Sequence, residues 1–220
     1  MKADEVAHYL QNNPQFFEHY ADLMAQVAIP HPHSGRAISI TERQMLALRD
    51  KNRQLEAKLG ELIGFGEDND AISEKMHRLA IALIAAYTFP AVVHTLGYHL
   101  REDFAIPQVA IRLWSLPAGE RDDLPEFAAV SQELQSFTET LTHPYCGTTA
   151  GFETSTWFGE ASTSIRSQAL IALKSGGGTI GLIALGACDV ERFYAGMGTL
   201  YLERLGDMAS AAIGRTLGTA

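Results

Sequence analysis

His143 and Cys146 are the side chains whose types and spacing come closest to a catalytic or metal-binding pair. A histidine three residues before a cysteine could ligate a metal ion or activate a thiolate. Zinc sites need three or four protein ligands, however, and no second Cys/His pair with ligand spacing accompanies these residues. A free cysteine is more often a small buried apolar side chain than a nucleophile. The sequence therefore predicts no metal site and no catalytic residue.

Residues 176–181, GGGTIG, match the expression G-x-G-x-x-G that is found in dinucleotide-binding loops. Such a loop must be followed by a helix whose N-terminus binds the pyrophosphate. Here the apolar run 180–185 follows, which is typical of a strand. The glycines therefore predict the turn of a β-hairpin and not a nucleotide site.

The remaining elements follow from the spacing of apolar residues. Apolar runs at 108–114, 168–173 and 179–185 predict strands. Stripes spaced three and four residues predict helices at 69–87, between Pro90 and Phe104, from a capping box of Asp123 and Glu126 onward, and at 195–217. Since the order shows no regular βαβ alternation, the fold class is predicted to be α+β, with helices on an antiparallel sheet.

A seven-residue repeat at 38–63 is typical of a coiled coil. Its Asn52 falls at an a position, where asparagine favours a paired, in-register, two-stranded arrangement. The sequence thus predicts a homodimer, formed through Ile38, Met45, Leu48, Asn52, Leu55, Leu59 and Leu62.

Three glycines, Gly60, Gly64 and Gly66, weaken the end of this helix and predict a break at 64–68. The chain would then divide into a helical N-terminal region, residues 1–66, with its coiled-coil helix at about 38–65, and a second domain, residues 67–220.

Composition and charge exclude several classes of function. The chain has 220 residues, 46% of them hydrophobic, and a formal charge of -9, which argues against nucleic-acid binding. The basic residues between Arg36 and Lys58 are more simply explained as the charged flanks of the coiled coil. No apolar window is long enough for a membrane span, and the N-terminus lacks the apolar core of a signal peptide. A cytoplasmic protein with no membrane partner is predicted, and two cysteines agree with a reducing compartment.

Several short motifs are similar to those of the bacterial domain-of-unknown-function family 484, and the resemblance spans nearly the whole chain. They are Asn13-Pro14-Gln15-Phe16-Phe17, Ile29-Pro30-His31 with Gly35, Glu42-Arg43-Gln44 with Leu48-Arg49, residues 181–186 with Asp189, Arg192-Phe193, and Met197-Gly198-Thr199. Members resemble GAF domains in their C-terminal part. The resemblance implies an antiparallel sheet of five or six strands backed by helices and preceded by a helical region with a long coiled-coil helix. It implies no established activity, and the cofactor is unknown.

GAF-type domains bind small ligands between the sheet and its covering helix and loops, so the resemblance also implies a possible pocket. Its candidate residues are Arg112, Trp114, Phe137, Cys146, Phe152, Trp157, Phe158 and Ser167. The same aromatic side chains could instead simply fill a core. Three hypotheses follow: a dimeric small-molecule sensing or regulatory module, a non-catalytic adaptor without a ligand, and a thiol-dependent enzyme that uses Cys146.

Overall fold

The computed structural model describes residues 2–30, 37–114 and 124–218. The chain divides into two compact units, Met1–Asp68 and Asn69–Ala220. The predicted α+β class is confirmed, because an antiparallel sheet with flanking helices follows an N-terminal region that contains a long helix.

The N-terminal unit begins with three short helices, α1 (Ala3–Asn12), α2 (Gln15–His19) and α3 (Ala21–Gln26). Two short strands follow, β1 (Ala28–Pro30) and β2 (Ala37–Ser39), and they pair antiparallel with Ile29 opposite Ile38. Ile38 was predicted to be the first apolar member of the coiled coil. Its position in β2 places it ahead of the helix instead, which agrees with the preference of β-branched residues for strands.

Helix α4 (Ile40–Ala85) is 46 residues long and is not interrupted. The predicted break at 64–68 is therefore wrong, and the helices predicted on either side of it are one. Each glycine costs only about 1 kcal/mol relative to alanine in a helix. Good helix formers beside the glycines, such as Leu62 and Glu67, sustain the helix through Gly60, Gly64 and Gly66.

The second unit contains a four-stranded antiparallel sheet of β3 (Gln108–Leu113), β4 (Tyr145–Gly147), β5 (Ser167–Ser175) and β6 (Gly178–Ala187), in the order β3-β6-β5-β4. The predicted hairpin is confirmed. Gly176 and Gly177 form its turn at φ of 58° and 85°, values that glycine adopts without steric cost. The resemblance implies five or six strands in this sheet, whereas the described residues contribute four to it.

Side chains on one face of the sheet, here called the helical face, pack against α5 (Phe89–Glu102) and α7 (Leu200–Leu217). Alternate residues of β5 and β6, such as Ile171 and Ile183, are buried there. Met76, Leu79 and Leu83 of α4 belong to the same core cluster.

Side chains on the opposite face, here called the aromatic face, form a second cluster under α6 (Gln132–Thr140) and a 3-10 helical segment, Glu153–Thr163. Leu170 and Leu182 are fully buried in this cluster. Helix α6 begins after Ser131, whose hydroxyl accepts a hydrogen bond from the Leu134 N–H. The predicted start at a capping box of Asp123 and Glu126 is wrong, because Glu126 lies in a separate 3-10 turn, Pro125–Phe127, and Asp123 lies outside the described residues.

The end of α4 is held by Arg215 of α7, which donates hydrogen bonds to three backbone carbonyls, those of Leu83 (2.9 Å), Ile84 (3.1 Å) and Ala86 (2.6 Å). The last carbonyls of a helix lack intrahelical partners and carry partial negative charge, so a cation there is stabilising.

We expect Arg215→Ala to lower the free energy of unfolding by about 1.5 kcal/mol, since hydrogen bonds to charged groups are worth more than neutral ones. Arg215→Lys keeps the charge but cannot reach three carbonyls in one fixed geometry, and should recover about half of the loss. Urea denaturation followed by circular dichroism measures both variants. A stability of Arg215→Ala equal to that of the wild type would contradict this role.

Candidate functional site

Arg112 and Trp157 are two of the predicted ligand-binding residues, and the structure brings them together. The guanidinium carbon of Arg112 lies 5.0 Å from the centre of the Trp157 ring. Arg112 comes from β3, at the edge of the described sheet, and Trp157 from the 3-10 segment that covers the aromatic face. One guanidinium nitrogen, Nη1, donates to the Ile111 carbonyl at 3.0 Å. The flat guanidinium is thus fixed by its own strand and by an aromatic ring.

These two side chains line a cavity of about 300 Å³, here called the edge pocket. Helix α5, strand β3, the Pro125–Phe127 turn and the 3-10 segment enclose it. Its lining residues are Val93, His94, Gly97, Arg101, Val109, Ala110, Ile111, Arg112, Pro125, Glu126 and Trp157. The lining combines apolar side chains with four polar or charged ones, those of His94, Arg101, Arg112 and Glu126.

The charges of the edge pocket come from Arg101, Arg112 and Glu126. Burial lowers the pKa of Arg112, and the charge of nearby Glu126 raises it. Arginine remains protonated at any physiological pH despite such shifts. Among the ion pairs of the described residues none involves Arg101 or Arg112. The pocket is therefore lined by two guanidinium groups that have no carboxylate at ion-pair distance among the described residues.

Gly97 allows Arg101 to lie on the surface of α5. A Cβ atom added at Gly97 would stand 3.1 Å from the Arg101 Nη2 atom. Glycine inside a helix costs roughly 1 kcal/mol relative to alanine, so a packing reason for it is expected. Here the missing side chain leaves room for a guanidinium at the pocket wall.

Sequence reasoning missed His94, Arg101 and Glu126. His94, Gly97 and Arg101 are spaced three and four residues apart, which puts them on one face of α5. This face runs beside the buried stripe of Val92, Leu96 and Leu100. The helical spacing was thus a usable signal for two of the residues, whereas Glu126 approaches the pocket only through the tertiary fold.

Four other predicted residues, Trp114, Phe137, Phe152 and Phe158, belong to the cluster of the aromatic face. The Phe137 and Phe152 rings lie 5.2 Å apart, and Phe158 is buried. They therefore pack mainly on one another and on the sheet. A smaller cavity of about 250 Å³ lies beside Phe137 and Phe152, where the Glu153 carboxylate accepts a hydrogen bond from the Ser131 N–H.

The last two predicted residues, Cys146 and Ser167, do not line the edge pocket. Cys146 is buried in the core cluster of the helical face, and burial raises the pKa of its thiol to about 11. Its proposed base, His143, lies with its Nδ1 atom 3.0 Å from a Glu203 carboxylate oxygen. Ser167 donates to the Asp189 carbonyl at 2.5 Å. At neutral pH Cys146 is a protonated thiol, which is a poor nucleophile.

A polar pair that sequence reasoning also missed lies inside the aromatic face. Thr154 and Gln168 are fully buried, and the threonine hydroxyl donates to the glutamine side-chain oxygen at 2.7 Å. The Gln168 amide donates to the Thr148 carbonyl at 3.3 Å. Since both side chains have hydrogen-bond partners, this pair attaches the 3-10 segment to β5.

Five of the predicted dimerisation residues, Met45, Leu48, Leu55, Leu59 and Leu62, are each more than half exposed in the single chain. All five lie on α4, as does Asn52, which donates to the Glu56 carboxylate at 3.2 Å. An isolated apolar stripe of this length on a helix is typical of a surface that another helix covers.

The described residues include neither a cluster suited to a metal ion nor a helix suited to a membrane span. No group of three or more His, Cys, Asp or Glu side chains there is arranged to hold a metal ion. Within the same residues, every helix is too short or too polar to cross a membrane.

Two sequence comparisons found matches over most of the chain. The family model described as "Protein of unknown function, DUF484" matches residues 1–217. An uncharacterised protein of Salmonella typhimurium strain LT2, YigA, is 25% identical over 211 residues, which make up 91% of this chain and 86% of that protein.

Two solved structures are also similar. A free methionine-R-sulfoxide reductase from Neisseria meningitidis, in complex with its substrate, has a TM-score of 0.46 at 15% identity, over 68% of this chain and 92% of that one. The GAF domain of the Escherichia coli potassium sensor histidine kinase KdpD has a TM-score of 0.41 at 14% identity, over 66% of this chain and 94% of that one.

Proposed function

We propose that this chain, which belongs to the DUF484 family of proteins of unknown function, is a non-catalytic small-molecule sensing or regulatory module that dimerises through α4. The observation that carries the proposal is the edge pocket. A partly buried guanidinium, Arg112, faces a cavity of about 300 Å³ and has no carboxylate partner at ion-pair distance among the described residues. Such a cation is costly to desolvate unless a partner compensates it, and a bound ligand would supply that partner.

The position of the pocket supports a regulatory role. Val93, His94 and Arg101 of α5 form one wall of the pocket. The buried stripe of the same helix, including Leu96, packs in the cluster that contains Leu79 of α4. A ligand that moves α5 would therefore act on the part of α4 that packs with it, which is the kind of small helix shift used by many regulatory proteins.

The dimer part of this proposal rests on helix α4. Its exposed apolar stripe follows the seven-residue spacing of a coiled coil, and a second copy presents the same stripe. In a parallel pair, Lys51 at a g position and Glu56 at the following e position of the partner chain would have opposite charges and stand close together. A second copy of this chain is thus the occupant that fits the stripe.

The ligand part of the proposal is tested by native mass spectrometry of the intact protein, purified from cells without denaturation. We expect the wild type to carry the additional mass of a small molecule. Arg112→Gln should lose that mass, because the neutral amide cannot replace the guanidinium. Trp114→Phe, a conservative change outside the edge pocket, should keep it. A wild type that shows only the polypeptide mass in repeated preparations would contradict ligand binding.

That contradicting result would favour an adaptor without a ligand, the second hypothesis. One observation supports this alternative. The space between the sheet and α6, where a GAF-type pocket was expected, is occupied by Phe137, Phe152 and Phe158. A third hypothesis, the thiol-dependent enzyme, is disfavoured by the burial and raised pKa of Cys146.

A further inference from the structure

We propose that the edge pocket selects a small organic monocarboxylate with a flat apolar body, and that Arg112 and Arg101 bind its carboxylate. This inference rests on the proposed function, namely that the pocket holds a small molecule. It adds the chemical class of that molecule, which follows from the charge, the size and the walls of the pocket.

The charge of the ligand follows from the guanidinium groups. The described lining includes two of them, on the half-buried Arg112 and the exposed Arg101, and one carboxylate, that of Glu126. A guanidinium has five N–H donors, and the described contacts of Arg112 use one donor, on the Ile111 carbonyl. The remaining donors of this planar group match the two oxygens of a carboxylate. A neutral or cationic ligand would leave them unpaired.

Glu126 limits the ligand to one negative charge. Its carboxylate interacts electrostatically with Arg112, yet no ion pair between them occurs within the described part of the chain. A dianion such as a phosphate monoester would bring a second negative charge toward Glu126 and meet repulsion. A monocarboxylate can bind the two arginines while Glu126 keeps its favourable electrostatic interaction with Arg112.

The size and walls of the pocket define the body of the ligand. A volume of about 300 Å³ is at the lower end for small-molecule sites, so a dinucleotide would not fit. Beside the charged groups the walls are formed by Val93, Val109, Ile111, Pro125 and the Trp157 ring. Flat apolar groups pack well against such surfaces, and a wide range of arylcarboxylates or unsaturated carboxylates shares this shape.

The test is a titration of the full chain with four probes of matched shape: benzoate, neutral benzamide, cationic benzamidine and, at pH 8, phenyl phosphate as a dianion. Binding is followed by the NMR signal of the Trp157 indole N–H, distinguished from that of Trp114 with Trp114→Phe. We expect benzoate to bind at least about ten-fold more tightly than benzamide, as a charge-assisted pair requires. Phenyl phosphate should bind more weakly than benzoate.

Two variants of the pocket sharpen the result. Arg112→Gln should weaken benzoate binding by about ten-fold or more, while Glu126→Gln should strengthen it several-fold because a repelling charge is removed. A pocket that is merely structural would not show these opposite responses. Circular dichroism establishes that both variants are folded.

Equal binding of benzoate and benzamide, or a preference for benzamidine or phenyl phosphate, would overturn the carboxylate inference. The proposed function would stand in that case, because the pocket would still hold a small molecule. If no probe shifts the Trp157 signal of the folded protein, the inference also fails, and the co-purified mass then decides the proposed function separately.

Discussion

Replacing Leu48 and Leu55 together with aspartate is expected to halve the molar mass of the protein in solution. Both leucines occupy d positions of the seven-residue repeat on α4, and both are more than half exposed in the single chain. In a two-stranded coiled coil each replacement would place two carboxylates at the interface. The cost of burying these unpaired charges exceeds the stabilisation that the remaining apolar contacts provide. The two helices should therefore separate. Size-exclusion chromatography with light scattering measures the mass of wild type and variant.

A matched control is available one position earlier on the same helix. Ala47→Asp with Gln54→Asp introduces the same two residues at the same seven-residue spacing, at c positions that face solvent in a coiled coil. This control should keep the dimer mass. Dissociation of both double variants would point to loss of helix stability, and a monomeric wild type would remove the dimer proposal altogether.

The strands and helices that are determined by the local spacing of apolar residues, glycine and proline were predictable from the sequence. The hairpin of β5 and β6 is defined by two apolar runs and by two glycines that adopt positive φ. Strand β3 is defined by its alternation and helix α5 by Pro90 and its apolar stripe. In these segments local preference and tertiary packing favour the same structure, so the sequence pattern is sufficient.

Two predictions were wrong, the helix break at 64–68 and the start of α6. In both cases a short sequence signal was weaker than the effect of the surrounding residues. Glycine lowers helix stability by a modest amount, so Gly64 and Gly66 did not interrupt α4. Ser131 is the N-cap of α6, because its side chain accepts a hydrogen bond from the Leu134 N–H, whereas the sequence pattern indicated Asp123 and Glu126. Capping motifs are short and recur by chance, and a three-dimensional contact is needed to choose between them.

The sequence indicated only a small part of the edge pocket, since two of the eight predicted ligand-binding residues line it. Arg112 and Trp157 stood out as a charged residue in an apolar strand and a large aromatic residue in an irregular segment. The division of the aromatic residues between the pocket and a filled core depends on how α6 and the 3-10 segment cover the sheet. No spacing in the sequence encodes that arrangement.

Of the single substitutions predicted here, Gly181→Ala is expected to lower the stability of the protein most. It forces β6 away from β3, the strand that carries Arg112. Gly181 of β6 lies opposite Leu113 of β3. A Cβ atom at Gly181 would stand 2.4 Å from the Arg112 carbonyl oxygen and 3.2 Å from the Leu113 Cα atom. Because these are backbone atoms, no side-chain rotation relieves the clash, and β3 must move away from β6.

We expect Gly181→Ala to lower the free energy of unfolding by about 3 kcal/mol, at the upper end of the usual cost of overpacking. The displaced Arg112 should also weaken binding to the edge pocket in molecules that still fold.

Gly178→Ala provides the control in the same strand, because an added Cβ there meets open space and its φ is not positive. It should stabilise the protein slightly, by about 0.5 kcal/mol, since alanine loses less backbone entropy than glycine. Urea denaturation of both variants gives the comparison, and equal stabilities would show that β3 is not held against β6 as closely as these distances require.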